Sequence, residues 1–290
     1  MNPETIPRDI YKLLVTKEVP VSTEEVERIA EEFGEACREM LISAMGPEQE
    51  RQGRLRLSSV GKKYRQIWND FHGIDSEKLQ GPTHIKFLYG HLIEAMVLAL
   101  VQLSGHRVSD QQREVEVAGV RGHIDCVVDD DHLVDVKSAS SYSFKKFERG
   151  TLPWDDPFGY VGQIKAYAHG MNMSKIGWIA MDKQNGTLAY LGYDLKELKS
   201  VEEQDALGWD VVQRIEDIKK SVGVGSPPQK CFEPVADGKS GNYRLASGCA
   251  YCQFKRSCWP ELRIFHYQSG PKYLVRVERE PRVPEEIEGF

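Results

Sequence analysis

The chain has 290 residues, which is long enough to bury the core of one large domain or two small ones. Its content of 40% hydrophobic and 28% charged residues is typical of a globular protein and excludes a disordered or low-complexity chain. No apolar segment of the signal-peptide type opens the sequence, and the longest apolar stretch is interrupted by Lys86, His91 and Glu94. We therefore expect a cytoplasmic protein that does not span a membrane.

The net charge of −6 is unevenly distributed along the chain. Residues 1–50 carry a net charge of −7 and the remainder a net charge of +1. Residues 51–69, called the basic segment below, contain six basic residues and no acidic one. Because salt screens charges beyond about 10 Å, such a segment can bind a phosphate backbone even on an acidic protein. It is either an ordinary solvated surface or a DNA-binding surface formed by Arg51, Arg54, Arg56, Ser58, Lys62, Lys63 and Arg65.

Two long helices are predicted in the first half of the chain. Ser22 and Glu25 form a capping box that opens an acidic amphipathic helix over 22–45. A second helix is predicted over 83–104, because an apolar run there ends at Gly105.

After the second helix the hydrophobic period changes from helical to alternating, which predicts strands. The predicted elements are strands 113–117, 122–128 and 132–137, helix 157–171, strands 175–181 and 187–193, and a charged helix 195–221. This order favours an α/β (α+β) fold with a central mixed sheet flanked by helices. We expect three parts: an acidic helical segment (1–50), a core (51–222) and a cysteine-rich module (223–290).

Acidic residues are placed unusually within the predicted hairpin 122–137. Asp135 and Lys137 share one face of a strand, and antiparallel pairing brings Asp125 of the preceding strand close to Asp135. Carboxylates are the ligands that Mg²⁺ prefers, and a neighbouring lysine can orient an attacking water. The alternative is a hairpin with polar edges, for which Asp129–Asp131 is the solvated turn.

The spacing Asp-x-Lys is weak evidence by itself, because it recurs in the charged helical stretch. Asp194-Leu-Lys196 and Asp217-Ile-Lys219 have it there, and Glu197-Leu-Lys199 has the glutamate version. Asp135-Val-Lys137 differs from these because it lies on a strand that follows a second acidic strand, Gly122-His-Ile-Asp125.

These motifs resemble the PD-(D/E)XK nuclease superfamily, and more narrowly its RecB-like exonuclease branch of the type found in phages. Gly122-His-Ile-Asp125 and Asp135-Val-Lys137 are followed by Gln163-Ile-Lys-Ala-Tyr167, similar to the Gln-x-x-x-Tyr motif of that branch. An upstream helix of the branch carries Gly-x-x-x-His, and Gly90-His-Leu-Ile-Glu94 places a glutamate at the histidine position.

The resemblance implies a PD-(D/E)XK core and a Mg²⁺- or Mn²⁺-dependent DNA nuclease. The ligands of the ion would be Glu94, Asp125, Asp135 and the carbonyl of Val136. Lys137 would orient the attacking water, and Gln163 and Tyr167 would position the DNA strand. Lys145 and Lys146, just after the lysine motif, are further candidates for the DNA path.

Four cysteines lie within 28 residues near the C-terminus: Cys231, Cys249, Cys252 and Cys258. In a cytoplasmic protein this density favours a metal over disulfides. Four thiolates suit either a zinc ion or a [4Fe–4S] cluster. The alternative is a set of free, buried thiols.

Several RecB-like nucleases bind an iron–sulfur cluster through three C-terminal cysteines spaced similarly to Cys249, Cys252 and Cys258. Their fourth cysteine lies upstream, near a segment similar to 58–65, where this chain has no cysteine. Cys231 would supply the fourth ligand instead, and zinc then competes with iron. Cys37 is also upstream, but it lies on the apolar face of its predicted helix.

The leading hypothesis is an exonuclease that acts on DNA in processing, recombination or repair, in the host cytoplasm if the chain is phage-encoded. A recombination or annealing protein would be its natural partner, and no membrane is involved. Two alternatives stay open: a sequence- or structure-specific endonuclease of the same superfamily, and a non-catalytic DNA-binding protein with a zinc-type cysteine module.

Overall fold

A computed structural model gives the fold over residues 1–46, 53–77 and 81–286. Arg51 of the basic segment lies outside these residues. The helices are α1 (Ile6–Thr16), α2 (Thr23–Met45), α3 (Tyr64–Phe71), α4 (Gly81–Leu103), α5 (Ser141–Glu148), α6 (Tyr160–Met171), α7 (Val201–Leu207), α8 (Val211–Val222), α9 (Ser247–Ala250) and α10 (Lys255–Cys258). The strands are β1 (Val108–Ser109), β2 (Glu114–Val117), β3 (Val120–His123), β4 (Cys126–Val128), β5 (His132–Ala139), β6 (Lys175–Asp182), β7 (Leu188–Asp194), β8 (Val235–Ala236), β9 (Tyr243–Arg244), β10 (Arg263–Tyr267) and β11 (Gly270–Arg276).

The described chain divides into two compact units. The first unit comprises residues 1–46, 55–61 and 81–216, and the second comprises 53–54, 62–77 and 217–286. The acidic N-terminal helices therefore belong to the same unit as the central strands, and α3 belongs to the same unit as the cysteine-rich end.

The first unit is built on a five-stranded sheet with the order β1-β4-β5-β6-β7. β5 and β6 are parallel, whereas the other neighbours are antiparallel. The parallel pair requires a crossover, which α5 and α6 provide. The predicted fold class, a central mixed sheet flanked by helices, is confirmed.

The strand predicted over 122–128 is in fact two strands. β3 pairs with β2 in a separate two-stranded sheet, whereas β4 joins the central sheet. The break falls at Ile124 and Asp125, and the Asp125 carboxylate accepts the backbone N–H of Val136 in β5. The Asp125 side chain is thus turned toward β5.

The helix predicted over 195–221 is likewise interrupted. α7 ends at Leu207, and the side chain of Asp210 accepts the backbone N–H of Gln213 at 2.8 Å to begin α8. Asp210 therefore acts as the N-cap of a new helix, which interrupts the single helix that was predicted.

The core of the first unit lies between the sheet and two helices. Val134 and Val136 of β5 pack in one cluster with Val97 of α4 and with Ile6 and Ile10 of α1. α1 is an element that the periodicity of the first twenty residues did not lead us to predict. The strand valines on either side of Asp135 are thus fixed by core packing.

One helix of the described ranges, α4, is long and apolar enough to cross a membrane by length and composition, with a mean hydropathy of 1.4. Its Ile93, Val97 and Val101 are buried in the core of the first unit. The core helix of a soluble protein can be as long and as apolar as a membrane-spanning helix. Length and composition therefore do not distinguish the two kinds of helix.

The second unit contains a four-stranded sheet with the order β10-β11-β9-β8. Leu245, Trp259 and Leu262 form its small core, together with Cys249. Short strands and many turns explain why no periodicity was visible in this part of the sequence.

Candidate active site and cysteine pocket

The hairpin formed by β4 and β5 brings the predicted acidic residues and the lysine together. Asp125 directly precedes β4, and its Oδ2 accepts the backbone N–H of Val136 at 2.9 Å. Lys137 Nζ lies 2.8 Å from Oδ1 and 2.6 Å from Oδ2 of Asp135. Asp135 is only 2% exposed, so this ion pair is shielded from solvent.

Glu94 of α4 is coupled electrostatically to the same two aspartates. Burial and the charges of Asp125 and Asp135 together raise the pKa of Glu94 to about 8. Its Oε1 accepts a hydrogen bond from Nε2 of Gln112 at 3.0 Å. His91, one turn earlier on α4, is exposed and lowers the pKa of Asp125.

The site carries more negative charge than its lysine can balance. Burial raises the pKa of Asp135 to about 7 and also raises that of Asp125, although Lys137 opposes both shifts. Oδ2 of Asp135 is buried without a hydrogen bond, since its contact with Nζ lacks hydrogen-bond geometry. Three carboxylates that lack sufficient positive charge fit a divalent cation by their chemistry. Within residues 1–46, 53–77 and 81–286, no group of three or more His, Cys, Asp or Glu side chains is placed to hold a metal ion.

Tyr160 is part of this site although it was not predicted. Its ring centroid lies 4.9 Å from Nζ of Lys137, within the range of a cation–π interaction. The position of the ring is set by the start of α6, where the Asp156 carboxylate accepts the backbone N–H groups of Gly159 and Val161 at 2.8 Å each. Tyr160 lies three residues before Gln163 and thus on the same helix face, a spacing that could have identified it.

Gln163 and Tyr167 form a pair on α6. Burial raises the pKa of Tyr167 to about 12, while a hydrogen bond from the Gln163 side chain lowers it. The Tyr167 ring packs directly on Gly122 of β3, where an added Cβ would lie 2.8 Å from Cε1 of the ring and 2.9 Å from Cβ of Leu57. Glycine is therefore the residue that lets the tyrosine ring approach this strand.

The residues predicted to bind DNA are distributed over both units. Arg56 and Ser58 lie in the first unit, whereas Arg54, Lys62, Lys63 and Arg65 lie in the second.

The surroundings of these basic residues differ. In the second unit Lys63 lies over the ring of Phe232 at 5.7 Å, and Arg65 contacts Cys258 rather than projecting outward. In the first unit Lys145 is exposed, and Lys146 pairs with Asp155 at 2.8 Å.

The four C-terminal cysteines line a single cavity of about 20 Å³ within the second unit. Burial raises the pKa of Cys249 to about 12 and also raises that of Cys231, and the neighbouring cysteines add to both shifts. Cys37, in contrast, lies on α2 of the first unit. The other lining residues are Arg65, Gln66, Asn69, Lys230, Lys255 and Trp259.

No protein-family model and no curated protein sequence matches the chain. Three of the solved structures that it resembles are described as exonucleases. The alkaline exonuclease LHK-Exo from Laribacter hongkongensis has 11% identity and a TM-score of 0.37, over 64% of this chain and 94% of that one. Its complex with dAMP has 13% identity and a TM-score of 0.40, over 60% and 91%. A phage-related exonuclease from Haemophilus somnus 129PT has 12% identity and a TM-score of 0.38, over 58% and 93%.

At such identities and TM-scores these structures do not assign an activity to the chain.

Proposed function

We propose that the first unit is a Mg²⁺- or Mn²⁺-dependent deoxyribonuclease that acts as an exonuclease. The observation that carries the proposal is the convergence of Asp125, Asp135 and Lys137 on one hairpin, with Glu94 beside them on α4. A solvated polar hairpin would not need to bury an aspartate–lysine pair against the core.

Each residue has a role in this proposal. Glu94, Asp125 and Asp135 hold the cation, and the carbonyl of Val136 completes the oxygen donors. The bound cation supplies Lewis-acid stabilisation of the phosphodiester and of the attacking water. Lys137 orients that water, because its ammonium group is already fixed by Asp135.

The DNA strand would be positioned by groups that surround the carboxylates. Gln163 and Tyr167 lie on the helix that covers the hairpin, and the exposed Lys145 follows β5 on α5. The basic residues Arg54, Arg56, Lys62 and Lys63 would bind the phosphate backbone. The biological role that follows is DNA processing in recombination or repair, in the cytoplasm, together with a recombination or annealing protein.

A cleavage assay on three DNA substrates tests the activity. The protein is incubated with linear double-stranded, closed circular and single-stranded DNA, in Mg²⁺, in Mn²⁺ and in EDTA. Metal-dependent degradation of linear DNA with sparing of closed circles supports the exonuclease. Discrete products from closed circles would instead support the endonuclease alternative, and binding without cleavage would support the non-catalytic one.

We further propose that Cys231, Cys249, Cys252 and Cys258 hold a metal centre in the second unit, either a [4Fe–4S] cluster or a zinc ion. Their convergence on one cavity supports this, because Cys231 lies 18 residues from Cys249 in the sequence. Metal analysis and visible absorption of anaerobically purified protein distinguish the two. A coloured protein with iron indicates the cluster, and a colourless protein with one equivalent of zinc indicates the ion.

A further inference from the structure

The sulfur of Cys258 receives two N–H groups from α3. Nε of Arg65 donates to Sγ at 3.3 Å, and Nδ2 of Asn69 lies 3.8 Å from the same atom. The Arg65 guanidinium is fixed by a second hydrogen bond to the carbonyl of Pro228 at 2.6 Å. Asn69 is only 3% exposed, so its side-chain amide is buried at the pocket and not at the protein surface.

The indole of Trp259 supplies a further N–H group at the cavity. Trp259 is one of the lining residues and is 8% exposed, and its Nε1–H is buried without a hydrogen-bond partner among the described residues. A buried donor without a partner at this cavity is available to a sulfur acceptor.

The charged side chains that line the cavity, apart from the cysteines, are all positive. Arg65, Lys230 and Lys255 are among its lining residues, and the part of the lining that the structure describes contains no carboxylate. Lys230 Nζ lies 3.4 Å from the ring centroid of Trp259, whereas Lys255 is paired with Glu77 outside the lining.

This arrangement suits sulfur atoms that carry negative charge. A neutral thiol has a proton to donate and gains little from a set of donors and cations. A metal-bound thiolate is an acceptor, and four thiolates around Zn²⁺ leave a net charge of about −2 that the surroundings must balance. Groups that donate to ligand sulfurs also tune metal retention and, for an iron–sulfur cluster, the reduction potential.

We propose that α3 and Trp259 form an N–H donor set that holds the pocket cysteines as metal-bound thiolates, with Arg65 as its charged member. This inference rests on the proposed metal centre. It assigns Arg65 to the metal pocket instead of the DNA path. Arg65 acts as a positioning residue, because it contacts a ligand sulfur and not the metal.

The test measures how firmly the metal is held, independently of DNA cleavage. Wild type, Arg65→Met, Arg65→Lys and Trp259→Phe are purified anaerobically, their iron and zinc are quantified, and metal release to a chelator is followed over time. Arg65→Met should release metal about 10–100-fold faster than wild type, the range for loss of a group that supports a metal ligand. Arg65→Lys should be intermediate, because it keeps the charge without the fixed geometry. Trp259→Phe should accelerate release while changing the packing little.

Arg54→Met is the matched control, since Arg54 belongs to the basic segment and is exposed. Its release rate should equal that of wild type. Equal release rates in wild type, Arg65→Met and Trp259→Phe would overturn the donor set while leaving the metal centre intact. A folded wild-type protein that contains neither iron nor zinc would overturn the metal centre and, with it, the donor set.

Discussion

The ammonium group of Lys137 contacts both carboxylate oxygens of Asp135, at 2.8 and 2.6 Å, on the same face of β5. Burial lowers the pKa of Lys137, but the charges of Asp135 and Asp125 outweigh it and raise the pKa, so the lysine stays protonated. A charged donor is thus held beside the carboxylates before any substrate arrives.

Lys137→Ala should reduce metal-dependent DNA cleavage by at least about 100-fold, the usual effect of removing one preorganised donor. Cleavage rates of the purified variant on linear DNA measure this. Lys196→Ala is the control, because Lys196 is the exposed lysine of a second Asp-x-Lys sequence. Undiminished cleavage by the Lys137 variant would contradict the assignment of the lysine.

Glu94 should make the metal-free protein less stable as the pH rises. Its pKa is about 8 in the folded protein and 4.5 ordinarily, so the folded state binds the extra proton between these values. This contribution is fully present below pH 4.5 and is lost as the pH approaches 8. The Tm of the wild type in EDTA should therefore fall between pH 5 and pH 8.5.

Glu94→Gln removes this titration and should be more stable than wild type at pH 8.5, but not at pH 5. A gain of about 1 kcal/mol corresponds to roughly 2–4 °C in Tm. Glu39→Gln, at an exposed position of α2, should leave the pH dependence unchanged. The same pH dependence of Tm in wild type and Glu94→Gln would show that Glu94 is not buried among the aspartates.

Gly122→Ala should lower the free energy of unfolding without removing any functional group. Its Cβ would lie 2.8 Å from the Tyr167 ring, so the ring or the strand must shift. Overpacking of this kind costs about 1–3 kcal/mol, which chemical denaturation measures. Gly34→Ala is the control, because nothing lies within 4 Å of its added Cβ and the helix should gain about 0.5–1 kcal/mol. A Gly122→Ala variant as stable as wild type would mean that Tyr167 does not pack on β3.

His106 links α1 to the central sheet. Its Nδ1 lies 2.8 Å from Asp129 and its Nε2 lies 3.3 Å from Asp9, and its side chain is fully buried. His106→Ala removes both contacts of the buried ring, although Asp9 keeps Thr5 and Asp129 keeps the backbone N–H of Arg107. It should destabilise the protein by about 1–3 kcal/mol in thermal or chemical unfolding. His123→Ala, at an exposed position, should have little effect. If His106→Ala lowers the free energy of unfolding by less than about 0.5 kcal/mol, the effect is that of an ordinary surface substitution. That result would contradict the role of His106 in linking α1 to the central sheet.

The local elements and part of the site could be predicted from the sequence. The Ser22–Glu25 capping box forms as expected, because both of its hydrogen bonds are local. The approach of Asp125 to β5 also follows from a short hairpin, in which strand register fixes which side chains meet.

Other features depend on contacts between distant parts of the chain and had no periodic signal. The parallel pairing of β5 with β6 needs a crossover whose geometry is set by packing. Tyr160 became part of the site through the position of α6. Arg65 was predicted to bind DNA from its charge, and its contact with Cys258, 193 residues later in the chain, had no signal in the sequence.

The most direct test of the proposed nuclease compares wild type with Asp125→Asn on end-labelled linear DNA in Mg²⁺ or Mn²⁺. The wild type should release labelled nucleotides, and EDTA should stop the reaction. Asp125→Asn should remain folded, with a Tm close to or above that of wild type, and should release none. Absence of cleavage by folded wild type in both metals, or undiminished cleavage by Asp125→Asn, would contradict the account.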